Sequence, residues 1–111
     1  MARGLAWRVQ ARSDIAAIRK YIARDSPANA KKVVAAIGRA AHRLVAFPYA
    51  FRMIPEFQDP DRRETFVYEY RLMYRVEPDV VRILRVVHGR RLSENVPGSF
   101  EEPPQEAYSA A

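Results

Sequence analysis

The sequence predicts an α+β domain in which two helices come first and a run of strands follows. Three observations indicate this fold class. Apolar residues recur at helical spacing over residues 15–47, they alternate or run together at strand spacing over residues 64–88, and a short alternating stretch precedes both. The order β-α-α-β-β-β favours an N-terminal strand and an antiparallel helix hairpin packed on a three- to four-stranded antiparallel sheet.

The first strand and the first helix are predicted from residues 5–22. Residues 5–10 alternate apolar and polar side chains, which is typical of a short strand. Ser13-Asp14 is the predicted N-cap of the helix, and Asp25-Ser26-Pro27 ends it. The apolar residues between these signals have helical spacing: Ile15, Ile18, Tyr21 and Ile22. Trp7 and Tyr21, with Tyr74 further along, are expected in the core.

The second helix has clearer boundaries. Ser26 can cap it, Pro27 suits its first position, and Pro48 stops it. Two amphipathic helices joined by two or three residues predict an antiparallel hairpin. The apolar stripe of this second helix is Ala30, Val33, Val34, Ile37, Ala41, Leu44 and Phe47.

The second half of the chain predicts strands. Tyr49–Asp61 is predicted to be a loop that could include a short strand around Phe51–Ile54. Glu64–Tyr70 and Arg71–Glu77 are predicted to be strand, either continuous with a bulge or divided around Glu69. Val80–His88 is apolar enough for a central strand. In the middle segment, Leu72, Tyr74 and Val76 face one side, and Arg71, Met73 and Arg75 face the other.

Composition restricts the function. The chain has no cysteine, which excludes disulfides, thiolate metal sites and a cysteine nucleophile. With only His42 and His88 and no carboxylate cluster, no metal or cofactor is expected. There is no apolar run of the ~18 residues that a membrane span needs, and no secretion signal. We therefore expect a cytoplasmic protein without a membrane partner.

The charge is distributed unevenly. The net charge is +6, yet residues 93–111 carry four acidic and no basic side chains, so residues 1–92 carry 19 basic against 9 acidic groups. We interpret residues 1–92 as a single domain and 93–111 as an acidic, proline-containing C-terminal tail. All but three of the basic residues are arginine, which suits two-point binding of phosphate or carboxylate.

Basic residues concentrate on the last two strands and at their end. We predict that they line the sheet face away from the helices and bind an anionic target or partner. This candidate binding set is Arg71, Arg75, Arg82, Arg85, His88, Arg90 and Arg91. Arg71 could instead pair with a carboxylate such as Glu69 or Glu64. His88 could be a strand-end histidine bonded to backbone, and Arg63-Glu64 a structural ion pair.

Several ordered motifs carry a family resemblance. They are Trp7, Asp14-Ile15, Ile18, Tyr21-Ile22, Pro27 and Ala30; Leu44 and Pro48; Arg63-Glu64; Tyr70–Val76; and Ile83–Arg91, which ends in His-Gly-Arg-Arg. Together they resemble the ParE/RelE superfamily of toxins from type II toxin–antitoxin systems. The resemblance implies a small bacterial toxin that a cognate, ParD-like antitoxin neutralises in a hetero-oligomer.

The superfamily has two branches with different targets. The ParE branch inhibits DNA gyrase, and the resemblance then implies no catalytic activity of its own. The RelE branch is a metal-independent endoribonuclease that cuts mRNA in the ribosome. Only in that branch would Arg71, His88 and Arg91 be catalytic candidates.

The sequence favours the ParE branch. Pro97 stands where the ribonucleases have a terminal tyrosine, and no lysine follows Lys32. The Arg63-Glu64 pair and the His-Gly-Arg-Arg ending are more similar to ParE. A plain nucleic-acid-binding module is a third interpretation, but it leaves the helix hairpin unexplained.

Overall fold

The computed structural model describes residues 3–89 of the chain. Residues 93–111, and Arg90 and Arg91 of the candidate set, lie outside the described residues. Within the described part the elements are β1 (Gly4–Trp7), α1 (Val9–Ala23), α2 (Pro27–Ala46), β2 (Arg52–Met53), β3 (Arg62–Val67), β4 (Tyr70–Val76) and β5 (Val80–His88). The α+β class and the element order are confirmed.

The sheet differs from the expectation in its size and its edge. It has five strands in the order β1-β5-β4-β3-β2, rather than three or four. β1 pairs parallel with β5, with Gly4 opposite Val80 and Trp7 opposite Ile83, while the remaining neighbours are antiparallel. The sheet is mixed because β2 to β5 alternate in direction, which brings β5 parallel to β1 when the two strands meet at the edge.

The predicted start of α1 is wrong. The helix begins at Val9, with Arg8 as its N-cap residue in extended backbone and without a side-chain cap. The backbone N–H of Arg8 donates to the carbonyl of Ile83 at 2.9 Å, and the N–H of Arg12 donates to the Arg8 carbonyl at 3.1 Å. The helix start is therefore positioned by β5, more than 70 residues along the chain, and the local pattern carries no cap signal for it.

The boundaries of α2 follow the local signals. The Ser26 side chain accepts from the Asn29 N–H at 3.1 Å, and Pro27 occupies the first turn. The helix ends at Ala46, before Pro48. Ile37 and Leu44 are fully buried, as the stripe predicts. Phe47 is an exception with 64% exposure, because the helix has ended before it.

Each face of the sheet has apolar contacts. Leu72, Tyr74 and Val76 pack beneath the helices, together with Trp7, as their strand alternation predicts. Tyr21 was expected in this core and is instead 68% exposed. On the opposite face Ile54, Met73, Leu84 and Val87 form a second, smaller core with Phe57 against it. This face is thus not left entirely to an anionic target or partner, because the loop after β2 covers part of it.

α1 also protects an edge of the sheet. β1 ends opposite Ile83, so within residues 3–89 the second half of β5 has β4 on one side and no strand on the side of β1. Asp14 of α1 fills that place, with its Oδ2 accepting from the Val86 N–H at 2.8 Å. An unpaired strand edge is thus satisfied by a side chain. Neither helix in the described residues is long and apolar enough to span a membrane.

Candidate functional site

Arg71 lies at the centre of a buried ion-pair network on the face of the sheet away from the helices. It is 1% exposed, and its Nε donates to Glu64 Oε1 at 2.7 Å. Its Nη1 and Nη2 donate to the two carboxylate oxygens of Glu56 at 3.1 and 3.0 Å. Burial alone would lower the pKa of Arg71, but the hydrogen bonds to Glu56 and Glu64 outweigh it and the pKa is raised. The alternative of a pair with Glu64 is confirmed.

Glu64 connects Arg71 to a second arginine. The Glu64 carboxylate is fully buried, and its Oε2 accepts from Arg52 Nε at 2.5 Å. The Arg52 side chain is 59% exposed and its guanidinium lies 5.6 Å from the Phe66 ring centre. The predicted Arg63-Glu64 ion pair is wrong, since neighbours in a strand point to opposite faces. Arg63 instead donates to the carbonyl of Phe51 at 2.7 Å.

Arg75 and Arg82 share one carboxylate. They are register partners on β4 and β5, and both bind Glu77, which follows β4. Arg82 forms the two-point contact, Nε to Oε2 at 2.6 Å and Nη2 to Oε1 at 2.9 Å. The hydrogen bond from Arg82, helped by that from Arg75, holds the pKa of Glu77 below its usual value despite partial burial. Two like charges can lie side by side because Glu77 lies between them.

Arg85 is paired across elements. Its Nε and Nη2 donate to Asp14 of α1 at 2.7 and 2.9 Å. The β5 strand has a register irregularity opposite Met73 and Tyr74, so that Met73 pairs with Arg85 and Tyr74 with Ile83. At this irregularity the side chain of Arg85 extends toward α1, where it binds Asp14.

The strand arginines therefore form ion pairs and not an open cationic surface. The prediction that they are available on that face to bind an anionic target or partner is wrong for Arg71 and Arg82, which are 1% and 3% exposed. Residues 52–89 hold seven basic and seven acidic side chains, whereas residues 3–51 hold ten basic and two acidic. The positive charge of the described part thus belongs to the helical half. An acid count over the strands would have indicated this from sequence.

The end of β5 has different surroundings. His88 Nε2 lies 3.0 Å from Glu69 Oε1, and its ring meets Tyr70 edge-on at 5.8 Å. Gly89 donates its N–H to the Glu69 carbonyl at 2.7 Å. A Cβ at Gly89 would lie 3.0 Å from that carbonyl and 3.2 Å from the Phe66 ring, so a side chain has little room there. Arg90 and Arg91 follow directly.

Sequence reasoning found Glu64 as a partner of Arg71, but it missed the acidic partners Glu56, Glu77 and Asp14 and two exposed aromatic side chains. Phe66 near the end of β3 and Tyr68 in the turn between β3 and β4 are 49% and 59% exposed. Tyr68 has a φ of 54°, in the left-handed region that a tyrosine rarely adopts. Among residues 3–89 no group of three or more histidine and carboxylate side chains is placed to hold a metal ion.

The family model for the ParE toxin of the type II toxin–antitoxin system parDE matches residues 5–93. The chain belongs to the ParE toxin family. Its fold is similar to a chain in the chromosomal ParDE system from P. aeruginosa, with a TM-score of 0.66, 23% identity, and coverage of 78% of this chain and 96% of that one. It is also similar to a chain of the RelBE2 toxin–antitoxin complex from Mycobacterium tuberculosis, with a TM-score of 0.57, 22% identity, and coverage of 79% and 99%. No curated protein matches the sequence significantly.

Proposed function

We propose that this ParE-family toxin inhibits DNA gyrase by binding it, without catalytic activity of its own, and that a cognate ParD-like antitoxin neutralises it in a hetero-oligomer. Membership of the ParE family supports the toxin role. The solved ParDE and RelBE2 assemblies, which contain chains of similar fold, support an antitoxin partner. The choice of gyrase over the ribosome rests mainly on the state of Arg71.

The Arg71 guanidinium is already occupied on every nitrogen. Nε, Nη1 and Nη2 each donate to a carboxylate oxygen of Glu64 or Glu56. To bind an RNA phosphate the side chain would have to leave two acceptors, one of them fully buried. Removing one partner from a buried ion pair costs about 3–5 kcal/mol. Arg71 is therefore better suited to holding the sheet together than to stabilising a phosphorane.

The other requirements of RNA cleavage are also poorly met. Attack by a 2′-hydroxyl needs a general base and a proton donor for the leaving oxygen. His88 is engaged with Glu69 at 3.0 Å, and no lysine follows Lys32. These observations favour a protein-binding toxin over the ribonuclease alternative.

The proposed binding residues fall into two groups, those that hold carboxylates within the sheet and those at the end of β5. Arg71, Arg75, Arg82 and Arg85 hold buried or half-buried carboxylates, so their part in binding is to shape the sheet. His88, with 35% of its side chain exposed, is the described member nearest the end of β5. We place direct target contact there, on His88, Arg90 and Arg91.

The test adds purified protein to a gyrase supercoiling assay and, in parallel, to ribosomes translating a defined mRNA. We expect supercoiling to be inhibited, the mRNA to remain intact, and added cognate antitoxin to reverse the inhibition. Cleavage of mRNA at the ribosomal A site, lost when Arg71 or Arg91 is replaced, would overturn the proposal in favour of the ribonuclease. An Arg71→Lys variant that is still folded distinguishes the two roles of Arg71. It should lose mRNA cleavage if the guanidinium is catalytic and keep its toxicity if the guanidinium is structural.

A further inference from the structure

The outer side of α1 carries a groove with an apolar floor and a basic rim. The floor is formed by Trp7, Ile15, Ala16 and Ala23, and the rim by Arg12, Arg19 and Lys20. The volume of the groove is about 490 Å³. Trp7 reaches it from the end of β1, where its side chain is otherwise buried. Such a groove suits a segment that carries both apolar and acidic side chains.

The rim cations differ from the sheet arginines in lacking a counter-charge. Arg12, Arg19 and Lys20 are exposed, and within residues 3–89 no carboxylate forms an ion pair with them. The helical half around them holds ten basic and two acidic side chains. A groove with this surplus attracts an anionic segment over a distance of about 8–10 Å in ordinary salt.

The chain itself provides a segment of matching chemistry. Residues 93–111 contain Glu94, Glu101, Glu102 and Glu106 and no basic side chain, with Phe100 and Tyr108 among them. The four carboxylates match the rim, and the two aromatic rings match the apolar floor.

The segment is also long enough to reach the groove. It begins four residues after Gly89, at the end of β5, which lies beside α1 through the Arg85–Asp14 pair. The 22 residues from 90 to 111 span at most roughly 70 Å when extended, whereas the longest dimension of the molecule is 40 Å. A tethered segment faces its site at millimolar effective concentration. We propose that residues 93–111 dock into the α1 groove of their own chain.

Docking of this kind has a consequence for partners. It would cover the uncompensated positive charge of α1, so an acidic partner would have to displace the segment first. The proposal does not depend on the identity of the toxin's target.

The test exploits the absence of cysteine from the chain. A single Ala107→Cys substitution carries a nitroxide, and the broadening of backbone amide signals in ¹⁵N-labelled protein reports which residues lie near it. We expect the signals of Arg12, Ala16 and Lys20 to be broadened at low salt. At 1 M salt, where the screening length is about 3 Å, the broadening should be lost.

Charge variants provide the matched comparison. Replacing the four glutamates with glutamine, or reversing the rim with Arg12→Glu and Arg19→Glu, should remove the broadening. Reversing Lys31 and Lys32, which are also exposed but lie on α2 outside the groove, should leave it unchanged. The signal dispersion of each variant checks that it is folded. The comparison of low salt with 1 M salt is made with the rim and the four glutamates unaltered, so it needs no charge variant.

Three outcomes would overturn the proposal. The first is an absence of broadening on α1 at low salt, and the second is equal broadening on α1 and α2, which indicates a non-specific charge cloud. The third comes from a mixture of two samples. One carries the nitroxide and has no ¹⁵N label, and the other is ¹⁵N-labelled and carries no nitroxide. Broadening there, at the same concentration, would assign the contact to a second copy.

Discussion

Asp14 of α1 and Arg85 of β5 form a two-point ion pair, with Nε–Oδ2 at 2.7 Å and Nη2–Oδ1 at 2.9 Å. The same carboxylate accepts the backbone N–H of Val86 at 2.8 Å. Each of the two side chains is 14% exposed. One side chain thus joins the helix to the strand edge that β1 leaves uncovered.

Asp14→Ala should therefore destabilise the fold more than an ordinary helix substitution. It leaves Arg85 without its counter-charge and the Val86 N–H without an acceptor, and we expect a loss of about 2–3 kcal/mol. Urea unfolding followed by circular dichroism measures the change. Asp25→Ala, an exposed position just beyond the same helix, is the control and should change stability by no more than about 0.5 kcal/mol. Equal losses in the two variants would show that the Asp14 contacts contribute little.

The contrast between α2 and α1 shows what the sequence could predict. Ser26 and Pro27 place the start of α2 through contacts within one turn, so the local pattern is sufficient. The start of α1 depends on the bond from Arg8 to Ile83, and Asp14, which resembles a cap, is used instead to bind β5. A contact between residues about 70 positions apart cannot be predicted from the residues next to either one in the sequence.

The candidate site was predictable to a similar degree. The spacing of Arg71, Met73 and Arg75 correctly placed them on one face of β4, because alternation is a local property. The exposure of that face was not predictable, since it depends on Glu56 and Phe57 folding over from the preceding loop. The resemblance of the motifs to the ParE/RelE toxins, by contrast, was sufficient to identify the family.

The buried Glu64 should be far more sensitive to neutralisation than Glu56. Glu64→Gln removes the charge between Arg52 and Arg71 in a fully buried position, and a loss of about 3 kcal/mol or more is expected. Glu56 is 20% exposed, so water can partly replace it and Glu56→Gln should cost about 1 kcal/mol. Thermal and urea unfolding of the two variants give the comparison. Similar losses would mean that Glu64 is not the main counter-charge of Arg71.

Tyr68→Gly should stabilise the protein. Tyr68 has a φ of 54°, and holding a non-glycine residue in the left-handed region costs about 1–2 kcal/mol. Part of this gain is offset by the greater freedom of glycine in the unfolded chain. We expect a net rise of up to about 1 kcal/mol in the free energy of unfolding. Gln58→Gly, at φ 52°, should act in the same direction, and Glu69→Gly, where φ is not positive, in the opposite one. A lower melting temperature for Tyr68→Gly would refute the strain argument.

Acid should weaken the fold through Glu77. Its pKa is lowered in the folded state, first by the hydrogen bond from Arg82, so the carboxylate stabilises the fold above its unfolded value of 4.5. That stabilisation is lost as the pH falls from 4.5 through the lower folded pKa. Glu77→Gln should be less stable at neutral pH and show a shallower loss below pH 4.5, measured by unfolding at a series of pH values. The pKa of Glu56 is also lowered, so Glu56 should preserve part of the pH dependence of stability in that variant. An unchanged slope in Glu77→Gln would contradict the prediction.

The end of β5 can be tested as the target-binding surface with a charge-matched pair of variants. Arg90→Ala with Arg91→Ala should abolish or greatly weaken toxicity, because both follow Gly89 directly at the end of the sheet. Lys31→Ala with Lys32→Ala removes the same charge from exposed positions on α2 and should leave toxicity unchanged. Surface substitutions of either kind should alter stability by no more than about 0.5 kcal/mol, whereas Val86→Asp places a charge at a buried position of β5 and should unfold the protein. Growth arrest at equal expression and the melting temperature are measured for each variant.

If the Arg90/Arg91 double variant stays toxic with an unchanged melting temperature, while the Lys31/Lys32 variant loses its toxicity, the surface that binds the target lies on the helices and not at the end of the sheet.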